Sequence, residues 1–167
     1  MSRKDLINWI HFEGRIPEVL LEAIPRIRSL LPGVILSIEF EKPHREGLLD
    51  LLPLPDVAFF SHSYLKHFNL TSPFDFFDHI IREKNAEATL IMTAGSEGAY
   101  FSTPTREGAV PTKKVEVVDA TGAGDTFIAG YIYAFEKLGK DVKESVEFGV
   151  NLATGKVTQE GFEGLWK

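Results

Sequence analysis

Val117-Val118-Asp119-Ala120-Thr121-Gly122-Ala123-Gly124-Asp125-Thr126-Phe127 is the stretch on which the reading of this chain turns. Its apolar start predicts the end of a strand, its two glycines allow a tight turn, and Phe127-Ile128-Ala129-Gly130-Tyr131 predicts a helix beginning at once. A helix start carries backbone N–H groups without intrahelical partners, at the positive end of the helix dipole. Such a place favours an anion, and Gly122 and Gly124 let the anion approach the backbone closely. Asp125 sits at the same point, where a carboxylate can take a proton from an attacking hydroxyl. An anion cradle beside a base is what phosphoryl transfer asks of a protein. The bland alternative is a glycine turn followed by a capped helix.

Outward from this run, short apolar stretches alternate with helix-period segments. Residues 9–12, 34–38, 57–60 and 89–92 predict strands. Residues 17–31 predict a helix opened by Pro17, with Leu20, Leu21, Ile24, Ile27, Leu30 and Leu31 on one face and Pro25 as a point of kinking or splitting. A short helix is expected over 44–52, and a longer one over 73–84 carrying Phe74, Phe77, Ile80 and Ile81. From Gly98 to Val118 the pattern becomes short strands with turns, and helices over about 124–138 and 141–156 close the chain. Strands separated by helices imply parallel pairing with right-handed crossovers, which is α/β architecture. No repeat or linker interrupts residues 1–167, so they read as one domain.

Composition excludes several function classes. Of 167 residues, 44% are hydrophobic and 25% charged, the balance of a globular chain. A formal net charge of -6 argues against a nucleic-acid partner, though a local site can still be positive. There is no cysteine, hence no disulfide framework or thiolate metal site. No apolar run approaches the roughly 18 residues of a membrane span. Met1-Ser2-Arg3-Lys4-Asp5-Leu6 turns polar too soon for a signal peptide, so the expectation is a cytoplasmic chain without a membrane partner.

The run D-x-T-G-A-G-D-T-F followed by an amphipathic helix resembles the C-terminal signature of the ribokinase/PfkB family of carbohydrate kinases. Further segments look like the ketohexokinase branch of that family, in the same order: residues 10–15, 37–43, Phe60-Ser61 with Lys66-His67, and Gly161-Phe162-Glu163-Gly164. The resemblance implies a ribokinase-like fold, a mostly parallel sheet flanked by helices, and ATP-dependent phosphorylation of a sugar hydroxyl. A ketohexose such as fructose is the implied acceptor, with ribose, adenosine or another sugar as alternatives. By the same resemblance Asp125 is the catalytic base, and Gly122, Ala123 and Gly124 form the anion hole for the transferred phosphoryl group. Magnesium accompanies the nucleotide, with no direct protein metal ligand. Asp119 and Thr121 match positions that help bind a monovalent cation such as K+, or else they form a local turn.

Ala94, Gly95, Ser96, Glu97 and Gly98 match a turn that contacts the nucleotide, and equally suit a plain hairpin. Gly149, Val150 and Ala153 fall on the helix that flanks the adenine in the family, or simply permit close helix packing. Glu13, Arg15 and His62 fall on the substrate side by resemblance, with a surface ion pair as the plainer reading of the first two. Residues 149–156 nearly spell a P-loop, but Gly155 comes one place late and Val157 follows Lys156 where Ser or Thr is required. His11, His44, His67 and His79 show no ligand spacing.

The resemblance covers the C-terminal part of the family domain, without the N-terminal half and its lid. Two consequences are expected: the nucleotide side of the site is present, and sugar turnover by this chain alone is weak or absent. A non-catalytic, nucleotide-binding half-domain is the rival reading. Oligomers are possible, but the lid that clasps the family's dimers is not part of this stretch.

Overall fold

Short apolar runs form the central strands here, and β2, β3 and β4 are buried along most of their length. The structure, a computed structural model, describes residues 7–165, with the side chains of residues 81–84 left aside. The reading of Met1 to Leu6 and the Ile81 side chain therefore lie outside the described residues. The elements are β1 (Trp9–Glu13), α1 (Pro17–Leu30), β2 (Ile35–Phe40), β3 (Val57–Ser61), α2 (Ser63–His67), α3 (Pro73–Lys84), β4 (Thr89–Thr93), β5 (Ala99–Ser102), β6 (Glu107–Val110), α4 (Ala123–Leu138) and α5 (Val142–Val157). They form one six-stranded sheet in the order β1-β2-β3-β4-β5-β6. β1 runs parallel to β2 and β2 to β3, with Trp9 opposite Ile35 and Ser37 opposite Val57. This is the mostly parallel α/β sheet expected from the alternation of runs.

The chain divides into two compact units, one of Met1–Met92 with Ser102–Glu107, the other of Thr93–Phe101 with Gly108–Lys167. In the first, Leu36, Ile38 and Phe40 of β2 are wholly buried. Phe60 stacks on Phe40 at 4.9 Å and meets Phe76 of α3 edge-on at 5.1 Å. Ser37 sits in this core because its hydroxyl accepts from the indole of Trp9 at 2.8 Å and bonds Nδ1 of His11 at 2.8 Å. In the second unit, α4 and α5 pack on each other through Gly130 and Gly149, where a Cβ on Gly130 would fall 3.1 Å from the Gly149 Cα.

Several expectations need correction. Pro25 does not split α1, which runs as one helix to Leu30. Its apolar face is narrower than expected: Leu20 and Ile24 are buried, while Leu21 and Leu30 are exposed. The helix expected over 44–52 is a single 3-10 turn, Leu48–Leu51. Phe76, not singled out, is wholly buried beside Phe77. No helix among the described residues is long and apolar enough to cross a membrane.

Candidate active site

α4 is entered through Gly122, whose φ of 73° is the left-handed conformation that glycine adopts without strain. The amide and hydroxyl of Thr126 both donate to the Gly122 carbonyl, at 2.9 and 2.8 Å. The Ala123 amide donates to the Ala120 carbonyl at 3.2 Å. The amides of Gly122, Gly124 and Asp125 have no protein acceptor among the described residues. A Cβ built on Gly124 would meet no atom within 4 Å, so the first turn is open on that side. The Asp125 carboxylate is exposed and makes no hydrogen bond or ion pair among the described residues. Three of the four residues expected at the cradle are thus available to a ligand. Ala123 shapes the turn but has spent its amide.

The segment leading into the helix is not a strand. Residues 111–117 are irregular, and Val117 and Val118 are 60% and 57% exposed. Two β-branched residues there looked like a strand end, but the Val118 and Asp119 amides donate to the carbonyl of Val157, at 2.7 and 3.2 Å. The turn is strapped to the C-terminal end of α5 instead of to a sheet.

Asp119 is the most engaged residue of that turn. Its Oδ1 accepts from the Thr121 amide at 2.9 Å, and its Oδ2 and carbonyl oxygen accept from Lys156 Nζ at 2.7 and 3.0 Å. The Lys156 hydrogen bond, reinforced by Thr121, holds the Asp119 carboxyl well below the usual carboxylate range. The oxygens that the family resemblance offers to a monovalent cation therefore already face an ammonium.

In the same unit a cavity of about 500 Å³ opens, within the usual size of small-molecule sites. Ala123, Gly124 and Phe127 of α4 line it, with Val150, Ala153, Thr154 and Val157 of α5 and Gly95, Ser96 and Gly98 of the β4–β5 turn. Of the eight positions expected to contact nucleotide, Gly95, Ser96, Gly98, Val150 and Ala153 lie on its wall. Ala94 is buried and its amide donates to the Gly98 carbonyl at 2.8 Å. Glu97 accepts from the Tyr100 hydroxyl at 3.1 Å, and Gly149 is taken up in packing against Phe127. The wall also includes Thr112, Lys113, Lys114 and Val115, which the sequence reading passed over. The cavity thus joins apolar side chains of α5, Val150 and Ala153, to open backbone at Gly124 in the first turn of α4.

Glu13, Arg15 and His62 belong to the first unit. Glu13 and Arg15 form an exposed ion pair with each other at the C-terminal end of β1. His62 is exposed at the residue preceding α2.

Residues 15–165 match the pfkB family of carbohydrate kinases. The chain belongs to this family. The pfkB chain is 32% identical to the ketohexokinase of Mus musculus over 168 residues, 95% of this chain and 55% of the mouse protein. It is 28% identical to a deoxyribokinase of Salmonella typhi over 157 residues, 89% of this chain and 45% of that protein. Its fold matches that of the Vibrio cholerae O395 fructokinase solved with fructose, ADP and calcium ion, with a TM-score of 0.75 at 21% identity, covering 95% of this chain and 57% of the other. The pfkB chain therefore spans about half the length of these relatives. The ribokinase-like α/β fold expected from the sequence is the fold observed.

Proposed function

We propose that this pfkB chain carries the nucleotide-binding and phosphoryl-transfer side of an ATP-dependent sugar kinase whose acceptor is a ketohexose such as fructose. One observation supports this above the others: the unpaired Asp125 carboxylate directly follows Gly124, whose open backbone lines the cavity. The Gly122 and Gly124 amides hold the transferring phosphoryl group, where charge develops in the transition state. Asp125 accepts the proton of the attacking sugar hydroxyl. Val150, Ala153 and Phe127 receive the base, and Gly95, Ser96 and Gly98 bring backbone close to the ribose and phosphates. ATP supplies the phosphoryl group, with magnesium as the counter-ion on its phosphates. The likeness to mouse ketohexokinase across 95% of this chain supports a ketohexose over a pentose.

A second reading is binding without turnover, favoured by the 55% of the mouse protein that the match spans. Orientation of the hydroxyl contributes much of the rate in such reactions, and the residues that orient it are expected outside this stretch. The chain by itself then binds nucleotide but turns over sugar weakly or not at all.

Calorimetry with ADP, beside a coupled assay with fructose, ribose and adenosine, tests both readings. Measurable ADP affinity is expected, with little turnover and fructose as the best acceptor. Asp125→Asn should retain ADP affinity and remove whatever turnover exists. Absence of nucleotide binding overturns the proposal. Turnover at an ordinary kinase rate of about 1–100 per second contradicts the weak-turnover reading.

A further inference from the structure

Lys156 is wholly buried near the end of α5, and its Nζ is held by Asp119 twice, at Oδ2 and at the backbone carbonyl. The ring of Phe162 covers it, with the centroid 5.2 Å from Nζ. Burying an ammonium is unfavourable unless it is paired and hydrogen-bonded. A methionine would fill similar space without that burden, so the charge itself calls for an explanation.

The partners of Asp119 supply one. Its carboxylate also takes the Thr121 amide, and its own amide is held by the carbonyl of Val157, the residue after Lys156. Two adjacent residues at the end of α5 thus grip one residue of the turn, one by side chain and one by backbone. Three residues beyond Asp119 the chain reaches Gly122, the cap residue directly before α4. Asp119 and Thr121 are also the positions at which the family resemblance places a monovalent ion.

We propose that the Lys156 ammonium is a built-in monovalent cation for this turn, positioning the Gly122 and Gly124 amides without an ion from solution. Lys156 is a positioning residue: it acts on the cradle through Asp119. The consequence for nucleotide rests on the kinase reading above, whereas the ordering of the turn does not.

The test compares wild type, Lys156→Met and Lys156→Ala in choline chloride and in potassium chloride, each at about 0.1 M so that screening is equal. Amide hydrogen exchange at Thr121 and ADP affinity are both measured. In wild type both should be the same in the two salts, within about twofold. In choline the variants should exchange Thr121 faster and bind ADP more weakly, each by about tenfold, the loss of one good charge-assisted contact. Potassium or ammonium should restore both in Lys156→Ala, where the deletion leaves room, and less so in Lys156→Met. A lysine with only a packing role gives losses indifferent to the cation.

Wild type that needs potassium for full affinity or protection overturns the proposal. So do variants that match wild type, or losses that no cation repairs. If neither variant folds, the wild-type comparison between salts still decides. If wild type binds no ADP in either salt, the kinase reading fails, and Thr121 exchange with and without potassium still decides the role of Lys156.

Discussion

Gly149 lies so close to Phe127 that a Cβ at residue 149 would fall 2.8 Å from the Phe127 carbonyl oxygen and 3.0 Å from its ring. The near atom is backbone, which cannot swing away. Gly149→Ala should therefore push α5 off α4 and destabilise the chain by about 1–3 kcal/mol, as overpacking does. Thermal denaturation should show a fall of about 2–4 °C per kcal/mol. An unchanged melting temperature would mean the two helices have slack that the structure does not show.

Gly124 is the opposite case, since a Cβ there meets nothing within 4 Å. In the first turn of a helix, alanine is preferred to glycine by about 0.5–1 kcal/mol. Gly124→Ala should leave stability equal or raised. Gly124 lines the cavity, and on the proposed reading a phosphate sits against its bare backbone, so an added methyl group should lower ADP affinity about tenfold by calorimetry. The two substitutions separate a glycine used for packing from one used for a ligand.

The Asp119 carboxyl titrates lower in the folded chain than an ordinary carboxylate, because Lys156 and Thr121 bond its ionised form. The unfolded chain then takes up the proton first. The stability this residue contributes is fully present above the unfolded carboxylate value of about 4, and is lost progressively as pH falls below it toward the folded value. Melting curves of wild type and Asp119→Asn should differ by a constant gap from neutral pH down to about pH 5, and the gap should close in more acid solution. A gap that widens on acidification would contradict the assignment.

α5 starts with a reciprocal cap. The Glu144 amide donates to Asp141 Oδ1 at 2.9 Å, and the Asp141 amide donates to Glu144 Oε2 at 3.1 Å. Asp141→Ala should destabilise the chain by about 1 kcal/mol. Because the cap lies at the opposite end of α5 from Lys156, ADP affinity of the folded protein should stay within about twofold of wild type.

Elements with strong periodicity were legible from residues alone: the four apolar runs became β1 to β4, and α3 has the expected bounds. The misreadings share a physical cause, because local pattern says what an element is but not what it meets. Leu21 and Leu30 fit the helical period of α1, yet only Leu20 and Ile24 find a packing partner that buries them. Val117 and Val118 have strand-forming side chains, but both are exposed and the Val118 and Asp119 amides are taken by the Val157 carbonyl at the end of α5. At the candidate site, Gly122, Gly124 and Asp125 are readable because they fall within one four-residue run that leads directly into an apolar helical segment. Thr112 to Val115 carry no such local mark and reach the cavity wall only through the fold. In the sequence Lys156 shows only as the end of a near-miss P-loop, since nothing in its own neighbourhood points to Asp119, 37 residues away.

The most direct test is an amide-resolved NMR titration of the chain with ADP and magnesium. The expected result is a set of saturable shifts centred on the amides of Gly122, Gly124 and Asp125, extending to Gly95, Gly98 and Ala153. Shifts confined to residues away from the start of α4, or no shifts at millimolar nucleotide, would contradict the assignment of this helix start as the phosphate cradle.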